Sequence, residues 1–366
     1  MIIQRSLLKE LLINFSLILV ILTLMLFMER LLRLTRLAMG EGADLLDLIK
    51  IFIYLQPSIM LLTIPMAILI SVFLTYGRIM ADSEMVILKG SGMSFWAISK
   101  PAFIISIAGF LISITFSLYL LPKSAQSFRQ TVFEVVARKA AMVLEEGTFS
   151  TAFKDTVIFI KEKPSQDKLK GIFIYKEKDS PGGEQGRKEP VVIAAKEGAL
   201  LSSPQDGLIE LSMTDGIMHT FGKKTSSEVS FSRYSLVLMF MSQPSKEKRV
   251  REMEITKLWM GRKDNVSWNV ELHRRFAIPF ACLIFGFLGP ALSLKTGKTG
   301  RLGGFSLSLF SLVLYYLMFI LGEGLAKAGT VPTFISVWGP NLFFGIVAFL
   351  SFFKAHTERS LLSRKS

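Results

Sequence analysis

Six stretches without a charged residue, three on each side of the polar block 123–275, constrain this chain more than any other feature. They are residues 11–28, 51–77, 101–122, 276–294, 302–322 and 328–353. At about 1.5 Å of rise per residue, helices of this length match the ~30 Å hydrocarbon core of a bilayer. In the first stretch, thirteen of eighteen residues are Leu, Ile, Val or Phe. Inserting them is favoured by about 4 to 8 kcal/mol before Asn14, Ser16 and Thr23 are set against it. The next residues are Glu29, Arg30, Leu31, Leu32 and Arg33, with no small-residue cleavage site, so the segment reads as a retained span rather than a signal peptide.

The net charge of +14 would suit a nucleic-acid binder, so its location matters. The block 123–275 holds 26 Lys plus Arg against 20 Asp plus Glu, and the rest of the excess flanks the spans. That distribution argues against nucleic acid. Twelve Lys/Arg lie before span one, between spans two and three, between four and five, and after six; five lie in the two short opposite loops. The positive-inside rule puts both termini in the cytoplasm, and alternation puts the long block on the outer face, the periplasm of a Gram-negative bacterium. Cys282 is the only cysteine and sits in span four, so the exported block must fold without a disulfide.

After Pro122 the apolar period is helical, through Phe128, Val132, Val135, Val136 and Met142. From Gly147 it falls towards two, in short runs at 156–163, 171–176, 191–196, 207–213, 216–221 and 228–240, separated by Pro/Gly/Asp/Ser turns. The expectation is an α-helical membrane protein with six transmembrane helices plus an inserted all-β domain, as a sandwich, a jelly roll or an open barrel. The expected domains are 1–122, 123–265 with the β part at about 147–243, and 266–366.

Catalytic and cofactor signals are missing. His219, His273 and His356 are scattered, and there is neither a His-Glu-x-x-His nor a Gly-x-Ser-x-Gly. Gly297-Lys298-Thr299 resembles the end of a phosphate-binding loop, but Leu292 stands where that loop needs glycine and no strand precedes it. No cofactor, metal or ATP site is expected.

The loop between spans two and three predicts a short helix over 80–89, capped by Asp82 or Ser83 and closed at Gly90, with Met85, Val86, Ile87 and Leu88 crowding its surface. Glu84 in its first turn favours the helix dipole by about 0.3 to 1 kcal/mol, or serves as an acidic hook for a protein docked beneath the membrane. Arg30, Arg33 and Arg36 recur every three residues at the outer end of span one. They snorkel to headgroups or bind phosphate through their guanidinium forks. Arg274 and Arg275 pose the same choice at the outer end of span four, between lipid headgroups and an anionic ligand.

The opening Met1-Ile-Ile-Gln-Arg5, the loop Asp82-Ser-Glu84 through Gly90-Ser-Gly92-Met-Ser94, the Leu272-His-Arg-Arg275 entry with Pro279, and Trp338-Gly-Pro-Asn341 together resemble the LptF/LptG permeases of lipopolysaccharide export. The start is similar to the LptF branch, and the likeness covers the whole chain. It implies a subunit of an ABC-type exporter in the bacterial inner membrane. The implied partners are an LptG-like permease, a cytosolic LptB-like ATPase dimer, a single-span LptC-like protein, a periplasmic LptA-like bridge, and lipopolysaccharide itself. The inserted domain becomes a periplasmic β-jelly-roll that passes lipid onward, and 80–96 becomes the coupling helix. Glu84, with Met85 and Leu88, falls at the ATPase contact. Arg30 and Arg33 fall near the substrate phosphates, with Arg36, Arg274 and Arg275 as weaker candidates.

Exposing one acyl chain of roughly a dozen methylenes to water costs about 10 kcal/mol at ~0.8 per CH₂, so a multi-chain lipid needs an apolar path throughout. Leu24, Leu26, Phe27, Leu61, Leu62 and Met66 are candidate wall residues. Pro57 and Pro65 are candidate kinks in span two. The competing readings are a scaffold or sensor displaying a periplasmic domain, for which six spans are excessive, and an intramembrane enzyme, for which no acid, base or nucleophile set exists.

Overall fold

The computed structural model describes residues 2–38, 45–153, 156–165, 168–179, 188–203, 208–221, 226–238, 250–294 and 300–362. The chain divides into two compact units. One comprises Met1–Arg33, Tyr54–Gln126 and Lys246–Ser366, the other Leu34–Ile53 and Ser127–Ser245. Residues 250–265 therefore group with the helices rather than with the inserted domain.

The helices are α1 (Ile2–Ala38), α2 (Leu45–Ala81), α3 (Glu84–Gly90), α4 (Phe95–Thr115), α5 (Leu121–Val143), α6 (Ile255–Met260), α7 (Val266–Ser293), α8 (Gly300–Lys327) and α9 (Thr333–Leu362). Among the described residues, six helical segments are long and apolar enough to cross a membrane: α1, α2, α4 continuing into α5, α7, α8 and α9. The expected three-plus-three arrangement around an all-β insertion is present. The third span begins earlier than its apolar run, at Phe95, where Ser94 accepts from the Ala97 N–H at 3.2 Å. It ends later too. Pro122 lacks an N–H, and a π turn over 116–120 precedes it and lets the helix continue to Val143.

Prolines inside spans each free the carbonyl four residues earlier, and in a bilayer that oxygen needs a partner. Pro101 frees Ala97 O, which accepts from the Gln4 side chain at 3.1 Å. Pro279 frees Arg275 O, which accepts from the Ser117 hydroxyl in the π turn at 2.8 Å. Pro340 frees Ser336 O, and α8 approaches it at Gly322, where a Cβ would collide with that oxygen. The substituted positions thus become docking points between helices. α2 runs through Pro57 and Pro65 as one helix. Around α7 the helices meet on small residues: Gly286 packs on Ser106 of α4 and Gly289 on Val72 of α2. Asn341 of α9 accepts from the Tyr315 hydroxyl and donates to Ala277 O, both at 2.8 Å, tying α8, α9 and α7 together.

The inserted unit holds β1 (Phe149–Phe153), β2 (Thr156–Glu162), β3 (Lys168–Asp179), β4 (Lys188–Ser203), β5 (Leu208–Phe221) and β6 (Ser226–Leu238). They form one antiparallel sheet in consecutive order, with no Greek-key crossing among the described strands. β3, β4 and β5 are longer than the runs read from the sequence, and β1 was not among those runs. The expected break at Thr214–Asp215 is a single residue, Asp215, at φ 52 inside β5, and pairing continues through Glu197↔Thr214 and Ala195↔Gly216. Gly216 beside it has no alternative, because a Cβ there would strike the Phe231 ring. One face of the sheet buries Ile158, Ile160, Ile172, Ile174, Ile193, Leu211 and Met213 together with Phe133 of α5 and Leu144 beyond it. At about 1.5 to 3 kcal/mol per buried side chain, this core accounts for folding without a disulfide.

Candidate functional site

Two clusters of charge occupy opposite ends of the helical unit. At the end that carries α3, Arg78 in the last turn of α2 donates Nε and Nη2 to the Glu10 carboxylate of α1, both at 2.8 Å. Its Nη1 donates to Glu84 at 2.7 Å and to Asp82 at 3.0 Å. One guanidinium thus joins α1, α2 and α3. Its planar fork grips Glu10 bidentately and still bonds Asp82 and Glu84, four bonds where a lysine ammonium has three donors.

α3 is present where the sequence predicts it, but its cap differs. Ser83 sits at φ 57 and makes no side-chain cap, and Asp82 is turned to Arg78 instead. Met85 and Leu88, expected at the docking surface, are buried in the chain's own core with Phe95 and Ile98. The helix period puts them on the inner face, so the apolar side chains left outside are Val86 and Ile87, at 68% and 69% exposure. Glu84 keeps 42% of its side-chain surface exposed while paired to Arg78.

At the other end, Glu271 and Arg274 of α7, Glu323 and Lys327 of α8, Arg251 and Ser267 line an open pocket. Arg274 reaches Glu323 at 3.2 Å and Glu271 at 3.5 Å. Arg251 is held below its ordinary pKa chiefly by the Arg274 cation, and Arg30 of α1 pushes the same way. Arg30 therefore shares this end with Arg251 and Arg274. Three cations line the pocket against two carboxylates, a surplus that suits an anionic group.

Arg275 does not join them. Its side chain is 1% exposed, with Nε 3.4 Å from Glu271 and Nη2 donating to Arg251 O at 3.0 Å. It cannot meet an external phosphate, because Glu271 and the chain's own backbone surround it. Its role is to hold the 250–253 segment against α7.

The lipopolysaccharide export system permease family LptF/LptG matches residues 5–354. The chain belongs to that family. The lipopolysaccharide export system permease protein LptF of Escherichia coli K12 is 22% identical over 351 residues, covering 94% of this chain and 92% of that protein. The LptF of Shigella flexneri matches to the same extent. A Rickettsia prowazekii protein, RP871, is 21% identical over 171 residues, 47% of this chain and 46% of its own length.

Against the residues singled out for an LptF/LptG permease, the helical unit sorts the candidates by exposure. Arg30 is exposed, Leu24 is 60% exposed, and Leu26, Phe27, Leu62 and Met66 are half-buried. Leu61 is buried among Leu121, Val270 and Ile278, so this chain's own core occupies the face on which it would line a cavity. The side chains of Arg33 and Arg36 lie outside the described residues. Sequence reasoning missed Arg78, Arg251, Glu271, Glu323 and Lys327. Only Arg78, Glu323 and Lys327 carried a signal, a charge directly adjoining an apolar run; Arg251 and Glu271 carried none.

Proposed function

We propose that this chain is a permease subunit of an ABC-type exporter that extracts lipopolysaccharide from the inner membrane and hands it to a periplasmic bridge. The observation that carries the reading is the family match over residues 5–354 on a chain whose six apolar helices split three and three around a β-sheet unit. Both termini and α3 are cytoplasmic in this reading, and the sheet is periplasmic. The positive charge surplus beside the spans supports that orientation.

The exporter needs a second, LptG-like permease. α1 supports this, because only 17% of its most apolar window is buried within its own chain, leaving Leu12, Leu17, Val20, Ile21, Leu24 and Met25 for lipid, substrate or a partner helix. Arg30, Arg33 and Arg274, joined by Arg251 and Lys327, are assigned to the phosphates of the substrate, with Arg36 as a weaker contributor. Leu24, Leu26, Phe27, Leu62 and Met66 are assigned to the path of its acyl chains. A cytosolic ATPase dimer would bind α3 through Val86, Ile87 and Glu84. LptC-like and LptA-like proteins would continue the path beyond the sheet.

The sheet's apolar face is packed against Phe133 and Leu144, so passing acyl chains along it would require these two side chains to move aside. ATP hydrolysis belongs to the partner, and this chain supplies the lipid path and the levers. Purification of the tagged chain from its host in mild detergent tests the assembly. The expected result is co-purification of an ATPase and a second permease, with the ATPase lost on Ile87→Asp while the chain remains folded. A chain that brings down neither would contradict the reading.

A further inference from the structure

The outer face of α6 is exposed. Leu258 on its inner face is fully buried, packed among Val250, Trp268, Leu272 and Phe276. A tight turn follows, in which the Asp264 and Asn265 N–H groups both donate to Gly261 O at 3.2 Å, and Asn265 caps α7 by accepting from the Ser267 N–H at 3.0 Å. Gly261 is required there, because a Cβ would strike the Trp268 ring. α6 is therefore folded back along the first turns of a membrane-crossing helix and does not lead straight into it.

The opposite face presents Trp259, 58% exposed, and Met260, 81% exposed. The Arg262 guanidinium lies 3.7 Å over the Trp259 ring and donates to Trp259 O at 3.0 Å. Lys257 and Lys263 are exposed on either side. Arg262 is also within electrostatic reach of His273, which accepts from the Trp338 indole of α9 at 3.3 Å and meets the Phe334 ring edge-on. Tryptophans, an exposed phenylalanine and fixed cations thus form one band across the first turns of α7 and α9. Amphipathic aromatic and basic side chains collect at the boundary between hydrocarbon and headgroups, where the ring is apolar enough and the cation finds phosphate.

Depth agrees with composition. Leu272, against which α6 packs, is about 9 Å along α7 from Val266, and the charge-free run begins about 6 Å further on, at ~1.5 Å per residue. The headgroup layer is about 5 to 8 Å thick on each side of the hydrocarbon core, which places α6 at its level.

We propose that α6 is an interfacial anchor lying in the headgroup layer beside α7. Trp259 and Met260 enter the upper acyl region, while Lys257, Arg262 and Lys263 bind anionic phospholipid headgroups. The occupant is the bilayer because this face lies at headgroup depth beside a spanning helix and carries exposed apolar side chains with cations beside them. The inference requires only that α7 crosses a membrane, so it stands or falls separately from the transport reading.

The test is tryptophan quenching of the full chain in vesicles of phosphatidylethanolamine and phosphatidylglycerol. Subtracting the emission of Trp259→Phe from that of the unsubstituted chain isolates Trp259 among the four tryptophans. Lipids brominated near the headgroup should quench it roughly twofold more than lipids brominated near the chain end, as expected for an interfacial indole, and aqueous iodide should quench it weakly. Quenching by iodide alone, or by neither agent, would overturn the proposal. So would loss of the lipid quenching when the partner subunits are added, which would mean that protein covers the face. The triple variant Lys257→Glu, Arg262→Glu, Lys263→Glu should lose the quenching gained from phosphatidylglycerol over phosphatidylethanolamine alone. An unchanged gain would refute the headgroup contacts.

Discussion

Arg78→Met removes the cation that joins α1, α2 and α3 and leaves Glu10, Asp82 and Glu84 without it. The Arg78–Glu10 pair is bidentate at 2.8 Å, with side-chain exposures of 19% and 28%, which puts it at the strong end for partly exposed pairs, about 1 to 2 kcal/mol. The bonds to Glu84 and Asp82 reach more exposed carboxylates and add about 0.5 kcal/mol each. The total loss is about 2 to 3 kcal/mol, including repulsion among the remaining acids. A double-mutant cycle of Arg78→Met with Glu10→Gln, read by denaturant unfolding in detergent, isolates the main pair, and the coupling should be at least about 1 kcal/mol. In the proposed exporter, the single variant should also reduce lipid release per ATP hydrolysed, because α3 is no longer tied to α1. A coupling energy indistinguishable from zero, with unchanged release per ATP, would refute the reasoning.

Glu271→Ala strips buried Arg275 of its carboxylate and should cost about 3 to 5 kcal/mol in unfolding, while Glu271→Ala combined with Arg275→Met should recover much of that. Gly286→Val drives a side chain into Ser106 and the Ala102 carbonyl of α4, so the melting temperature in detergent should fall and the folded yield with it. Phe133→Ala opens a cavity under the sheet and should destabilise that unit by about 3 to 5 kcal/mol, seen as lost near-ultraviolet dichroism at lower denaturant. Ser117→Ala leaves the carbonyl freed by Pro279 unsatisfied and should cost about 1 to 3 kcal/mol by the same unfolding assay.

The spans were legible because a bilayer imposes length and apolarity together, and α1, α7 and α8 need nothing else to be found. Their ends were less so. The third span reaches back to Phe95 because Ser94 caps it, and runs on past Pro122 through a π turn that no hydrophobic period announces. The sheet was visible as alternation, yet β5 read as two strands because the propensity of Asp215 for positive φ looks like a turn until its neighbours hold the ladder. At the candidate site, the sequence located α3 and the acidic Glu84. It did not reveal which apolar residues of α3 face inward, because four apolar residues in a row have no period. Arg78 and the Glu271 cluster were hidden for a different reason. Their partners are up to 68 residues away in sequence, so only tertiary structure brings the charges together.

The most direct measurement is ATP-driven lipid release. The chain, reconstituted with the proposed partner permease and ATPase in vesicles containing lipopolysaccharide, should transfer that lipid to an added periplasmic acceptor only when ATP is hydrolysed. Replacing Arg30 and Arg33 with glutamate should cut the transfer while hydrolysis continues. Hydrolysis without any transfer by the unaltered complex, or transfer that needs no ATP, would contradict the account.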